Sequence, residues 1–228
     1  MENISFKKSY LHDSLKEIKF IDLWNSEGAF TTIRIYGRPA KYVLVKNHIK
    51  KLNSSLKYFS IKFNLDYKII KTLIGQNIKK NLFYDHLLRI AINKKIISFS
   101  LRKCPKVNNN FTGIFVNYKR KNYYHKHLKY IKILNLLKKI NRSNKEIILC
   151  HKNIVYEGCT TNIICIKNNN FYLSLRGQYN GVTISFFKKK LKNKIQKKII
   201  TKSFLRECEE IILVGSGKGV VSLKNIPQ

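Results

Sequence analysis

Acidic residues are scarce in this chain. Twelve Asp and Glu stand against 46 Lys and Arg among 228 residues, which leaves a formal net charge of +34. Lysines that neutralise phosphates release counterions, so such a charge first suggests nucleic acid. Here the basic residues are mostly Lys, run the whole length and come with many Asn and Ile. Those three residues share A/T-rich codons, so the charge reads as compositional bias, and no specific nucleic-acid partner is expected. Strong net charge speaks to solubility and non-specific binding, not to fold.

Other absences narrow the field. The five cysteines, Cys104, Cys150, Cys159, Cys165 and Cys208, are odd in number and form no CxxC pair. They read as reduced thiols in a reducing compartment, with no metal site implied. No apolar run reaches membrane-spanning length. The start, "MENISFKKSYLHDSLK", lacks the apolar core of a signal peptide and is unlike an Arg/Ser-rich transit peptide. A cytoplasmic location follows as the expectation, with an organelle matrix equally compatible. Neither GxxxxGK[ST] nor GxGxxG occurs, and no repeat period is present.

Hydrophobic residues make up 44% and aromatics 12%, enough for a folded core. "AFTTIRIY" (29–36) is strand-like, and "KYVLVKNHIKKLNSSLKYF" (41–59) begins as a strand and turns helical. Residues 67–93 read as helical. "KIISFSL" (95–101) and "TGIFVNY" (112–118) read as strands joined by an Asn-rich turn. Residues 124–140 carry a helical apolar stripe. "EIILCHKNIVYEG", "NIICIKNNNFYLSL" and "EEIILVGSGKGVVSLKNI" read as hairpins, and "TISFFKKKLKNKI" as a helix. The pattern predicts an α+β chain of two lobes, 1–104 and 105–228: a small N-terminal α/β lobe, then a larger one with an antiparallel or mixed sheet.

Four short stretches carry possible chemistry. "GSGKG" (215–219) offers backbone N–H groups to a phosphate, or is only a hairpin turn. "YNGVTISFF" (179–187) opens a helix at Val182–Thr183, a phosphate site or an ordinary N-cap. "NYKRKNYY" (117–124) ends a strand, and a lysine there is a solvated charge or, with a lowered pKa, a Schiff-base amine. "VYEGCTTNIICI" (155–166) sets Glu157 and Asn162 at the two ends of a corner between apolar runs.

In chain order the stretches run strand-end lysine, Glu–Asn corner, Gly-Val-Thr at a helix start and Gly-Ser turn, and in that order, from about Gly28 onward, they resemble the fold-type IV pyridoxal-phosphate enzymes. These are the class IV aminotransferases, including branched-chain and D-amino-acid aminotransferases and aminodeoxychorismate lyase. The resemblance implies the D-amino-acid-aminotransferase-like fold, pyridoxal 5'-phosphate as cofactor and a homodimer. It places Lys119, three residues before Asn122, as the Schiff-base lysine, with Lys121 the nearby competitor and Tyr123 following. It places Glu157 at the pyridine nitrogen, with Asn162 bracing the corner. Val182, Thr183 and Ser216 would hold the phosphate, and Tyr179 would cover the ring. "HIKKL" (48–52) resembles the family's "HxxRL", so Lys51 stands where an arginine grips the phosphate, with the charge kept and the bidentate fork lost. Ile184 stands where an arginine usually follows Gly-[Ile/Val]-Thr. "NSEGAF" is a reduced form of the family's glycine-rich run, and the chain stops just past the last motif.

Three details lean towards aminodeoxychorismate lyase: "GAFTTIR", the Lys–x–x–Asn spacing of Lys119 and Asn122, and "NGVT" at 180–183. The resemblance then implies that Lys119 removes the proton at the amine-bearing carbon of 4-amino-4-deoxychorismate. Pyruvate leaves and 4-aminobenzoate forms. A branched-chain or D-amino-acid aminotransferase of the same fold is the alternative. A basic nucleic-acid-binding or degenerate family member is the distant one.

Overall fold

The computed structural model describes residues 5–108, 110–191 and 194–226. The chain divides into two compact units, Met1–Cys104 with His125–Ile131, and Pro105–Tyr124 with Lys132–Gln228.

The first unit is built on a six-stranded antiparallel sheet in the order β2-β1-β6-β5-β3-β4. Its strands are β1 (Phe6–Leu11), β2 (Glu17–Ile18), β3 (Gly28–Gly37), β4 (Lys41–Tyr42), β5 (Tyr84–Asn93) and β6 (Ile96–Lys103). Helices α1 (Val45–Tyr58) and α2 (Tyr67–Ile74) bury Leu52, Leu56, Ile70 and Ile74 against Ile33, Ile35, Leu88 and Ile90. Asp66 caps α2 by accepting from the Ile69 amide at 2.7 Å. A smaller cluster contains Leu23, Phe30, Ala91 and Leu128, with Trp24 and Tyr130 packed on it.

Three sequence expectations differ from the structure for physical reasons. Residues 67–93 are not one helix: α2 ends at Ile74, a 3-10 turn follows at Gly75–Asn77, and β5 begins at Tyr84. β5 lies between β6 and β3 with seven of its ten residues buried, so period-two alternation is erased and "HLLRIAIN" reads like a helix. The segment 124–140 is helical only over α3 (Ile131–Lys138). Ahead of it, the Leu128 amide donates to the Gly28 carbonyl at 2.9 Å and Leu128 is fully buried, so tertiary packing overrides the helical stripe. β6 and β7 also fall in different sheets, so the Asn-rich run between them does not close a hairpin.

The second unit is built on a nine-stranded mixed sheet in the order β12-β11-β10-β14-β15-β7-β8-β9-β13. These are β7 (Asn110–Asn117), β8 (Lys145–His151), β9 (Ile154–Gly158), β10 (Asn162–Lys167), β11 (Asn170–Ser174), β12 (Ile195–Lys198), β13 (Ile200–Thr201), β14 (Glu210–Gly215) and β15 (Gly219–Asn225). β7 is parallel to both β8 and β15. One cluster joins Ile148, Cys150, Val155, Ile163, Cys165, Ile211 and Leu213 with Leu205 of α5 (Lys202–Arg206). Another joins Ile164, Leu173 and Val214 with Ile184 of α4 (Val182–Leu191). Alternation along β10 and β14 assigns the two clusters to opposite faces. The start of α4 and the corner between β9 and β10 carry most of the candidate residues.

Candidate active site

The β9–β10 corner, Glu157 to Asn162, is held at every residue. Glu157 is 1% exposed. Its Oε1 lies 2.9 Å from Arg120 Nε, and its Oε2 accepts from the Tyr179 amide at 3.0 Å. The Arg120 Nη2 reaches the carbonyls of Gly158 and Cys159 at 3.5 and 3.4 Å. Thr160 and Thr161 both donate to Glu146 Oε2, at 2.8 and 3.1 Å. Asn162 donates through Nδ2 to the Tyr179 carbonyl and to Gln178 Oε1. A Cβ on Gly158 would collide with the Thr161 hydroxyl, so the tight corner requires glycine there.

Asn162 and Glu157 thus grip the same residue, one at the carbonyl of Tyr179 and the other at its amide. Burial pushes the Tyr179 phenol up to about 12, with Glu157 adding to the rise and Arg120 opposing it. Four residues on, Thr183 stands in the first turn of α4. Its Oγ1 lies 3.1 Å from the Ser216 Oγ, in the turn between β14 and β15. The first-turn amides of α4 have no acceptor within the helix, and the helix dipole favours an anion there. The two stretches that each read as a weak phosphate signal therefore converge on one place. Gly181 can carry no side chain, because its Cβ would sit 2.8 Å from Asn162 Oδ1.

This donor set suits a cofactor with a phosphate at one end and a protonated ring nitrogen at the other. Hydroxyls and helix amides gather at Thr183 and Ser216, and a buried carboxylate lies at Glu157. The segment Tyr179–Thr183 joins the two ends. A family model for amino-transferase class IV matches residues 28–226.

The chain belongs to the class IV aminotransferases. This is a pyridoxal-phosphate-dependent enzyme family, and pyridoxal phosphate is its cofactor. A branched-chain aminotransferase from Thermoproteus uzoniensis matches with a TM-score of 0.78 at 17% identity, over 96% of this chain and 86% of that one. A candidate 4-amino-4-deoxychorismate lyase from Legionella pneumophila matches with a TM-score of 0.75 at 19% identity, over 95% and 90%. A hypothetical aminotransferase from Mycobacterium tuberculosis in its pyridoxal-phosphate-bound form gives 0.71 at 12% identity, over 96% and 90%. At these identities the likeness is one of fold. Compared by sequence with curated proteins, the chain matches none.

The remaining expected residues of this class IV chain lie on other segments. Lys119 is exposed on the segment after β7, with Nζ 5.7 Å from the centre of the Tyr156 ring. Asn122 adopts a left-handed φ of 51°, and the Tyr123 hydroxyl bonds that of Tyr124 at 2.7 Å. Lys51 lies on α1 of the first unit, where its charge helps lower the proton affinity of His48.

Two functional candidates escaped the sequence reading. Nothing local marks Arg120 among the chain's many bases. Lys132 shares the Lys–x–x–Asn spacing with Asn135, as do several other lysines of this chain, so its signal is weak. Lys132 is the second residue of α3, and its Nζ lies 4.4 Å over the Tyr118 ring.

Proposed function

We propose that this class IV enzyme is a 4-amino-4-deoxychorismate lyase, which cleaves its substrate to 4-aminobenzoate and pyruvate. The observation that carries the reading is the β3 run "GAFTT". It resembles the lyase's Phe-Thr-Thr run rather than the Phe-Glu of the aminotransferases, and on β3 the first threonine, Thr31, is buried with its hydroxyl on His48 Nδ1 at 2.7 Å. "NGVT" at the head of α4 supports the same reading.

Pyridoxal phosphate, when bound, supplies an electron sink for a carbanion at the amine-bearing carbon. The chain's own residues do the rest. Thr183, Ser216 and the first amides of α4 bind the phosphate, with Val182 closing the apolar side. Glu157 holds a proton at the ring nitrogen. Arg120 and the Tyr179 amide fix the direction of that carboxylate. Tyr179 covers the ring, and Asn162 holds Tyr179 in place.

For the cofactor-bearing lysine, two observations support Lys132 over Lys119. Asn122 sits in a left-handed turn, so turn chemistry accounts for its place after Lys119. Lys132 rises from a regular helix, and a rigid element aims a reacting group better than a loop does. In this reading the Lys132 amine takes the proton from the amine-bearing carbon as general base. Loss of the enolpyruvyl group as pyruvate and aromatisation of the ring then balance without water.

The test is to supply 4-amino-4-deoxychorismate to the cofactor-loaded protein without 2-oxoglutarate and to measure pyruvate. Equal amounts of pyruvate and 4-aminobenzoate are expected. Turnover that requires a 2-oxo acid, with branched-chain or D-amino acids as donors, would assign an aminotransferase of the same fold instead.

A further inference from the structure

Lys218 sits in the glycine turn "GSGKG" that first suggested a phosphate, but its side chain turns inward. Its Nζ lies 3.0 Å from Glu146 Oε2 and 3.2 Å from the Lys145 carbonyl, and it covers the Phe111 ring at 4.4 Å. The pair is deeply buried, with side-chain exposures of 10% for Lys218 and 0% for Glu146. The same Glu146 oxygen accepts from Thr160 and Thr161, and its Oε1 lies 3.2 Å from the Ile147 amide. One carboxylate on β8 therefore gathers a lysine from the β14–β15 turn and two threonines from the β9–β10 corner.

The two loops also touch directly. A Cβ on Gly215 would stand 2.8 Å from the Thr160 carbonyl and 3.3 Å from Thr161 Cγ2. In the sheet, Asn162 pairs with Val214, and Gly215 with Gly219. Ser216 leaves the turn on one side of this contact, and Glu157 leaves the corner on the other.

We infer that Glu146 and Lys218 are positioning residues, whose buried pair locks the corner bearing Glu157 to the turn bearing Ser216. The inference rests on reading these two places as the nitrogen end and the phosphate end of one cofactor site. The pair lies behind the corner at Gly158 and Thr160–Thr161, and it fixes the distance between the two ends. A buried pair costs desolvation and gains little net stability over apolar packing, so its use lies in specifying an arrangement.

Two arms on the full chain test this. Hydrogen exchange is followed in the cofactor-free protein for Lys218→Met, for the double variant Glu146→Gln/Lys218→Met and for Lys218→Arg. The first leaves Glu146 buried and unpaired, and the double variant keeps the test alive if it fails to fold. Amides of 158–162 and of 215–218 are expected to exchange faster together, on the order of tenfold, in the methionine variants. Lys218→Arg restores protection. Faster exchange confined to 215–218 would overturn the lock.

In the second arm, absorbance titration with pyridoxal phosphate and with pyridoxal reads both ends at once. Affinity for pyridoxal phosphate is expected to fall roughly tenfold, with a smaller loss for pyridoxal. A lowered melting temperature with both affinities unchanged would reduce the pair to a structural role. If the wild-type protein bound no pyridoxal phosphate, the cofactor reading would fail, and the exchange arm would still decide the lock.

Discussion

Arg120 holds Glu157: its Nε lies 2.9 Å from the carboxylate Oε1, with the arginine side chain 11% exposed and the glutamate 2%. Among only 12 acids, this one is buried, paired with a cation and bonded to a backbone amide. Removing one partner of such a pair strands the other charge. Arg120→Met is therefore expected to cost about 3–5 kcal/mol of stability. Urea unfolding of the variant against wild type checks this.

Glu157→Gln keeps the shape of the side chain and loses the charge. Arg120 is left without its counter-charge and stability falls, but the fold and bound cofactor are expected to persist while turnover falls on the order of 100-fold or more. Parallel titration of cofactor and assay of pyruvate separate the two effects. Equal loss of binding and turnover would mean that Glu157 only holds the corner.

Thr183 and Ser216 touch through their hydroxyls at 3.1 Å. Each alanine variant is expected to weaken pyridoxal phosphate by roughly 10- to 100-fold, the worth of a hydrogen bond to a charged group. Because the two groups are in contact, the double variant should lose less than the product of the single losses. A dissociation constant for each of the four proteins closes the cycle.

His48 gives the first unit an acid limit. Burial, with Lys126 and Lys51 nearby, holds its imidazole down at about 3, while Thr31 bonds its Nδ1. The unfolded chain takes up a proton near the ordinary value of about 6.5, and the folded one does not. Stability is therefore flat above that pH and falls as pH drops towards 3, by at most about 4–5 kcal/mol over the whole window. His48→Gln should flatten that slope in pH-dependent urea unfolding.

The second unit was more legible in sequence than the first. The hairpins β10–β11 and β14–β15 announce themselves by apolar runs around Asn-rich or glycine turns. β5 did not, because a central strand buried on both faces loses its alternation. Glu157 and Asn162 stood out because acids are rare and the corner is tight. Arg120, Glu146 and Lys218 did not, because a lysine-rich chain hides its few structural cations, and only the sheet register brings β8 to the corner. The Lys–x–x–Asn spacing recurs along this Lys- and Asn-rich chain, at Lys50/Asn53 and Lys138/Asn141 as well as at Lys119/Asn122 and Lys132/Asn135, so spacing alone does not single out one lysine.

The most direct test is to load the protein with pyridoxal phosphate, reduce it with sodium borohydride and map the modified lysine by peptide mass spectrometry. A phosphopyridoxyl adduct on Lys132, lost in Lys132→Ala, is the predicted result. An adduct on Lys119 would contradict the helix assignment, and no adduct on any lysine would contradict the account as a whole.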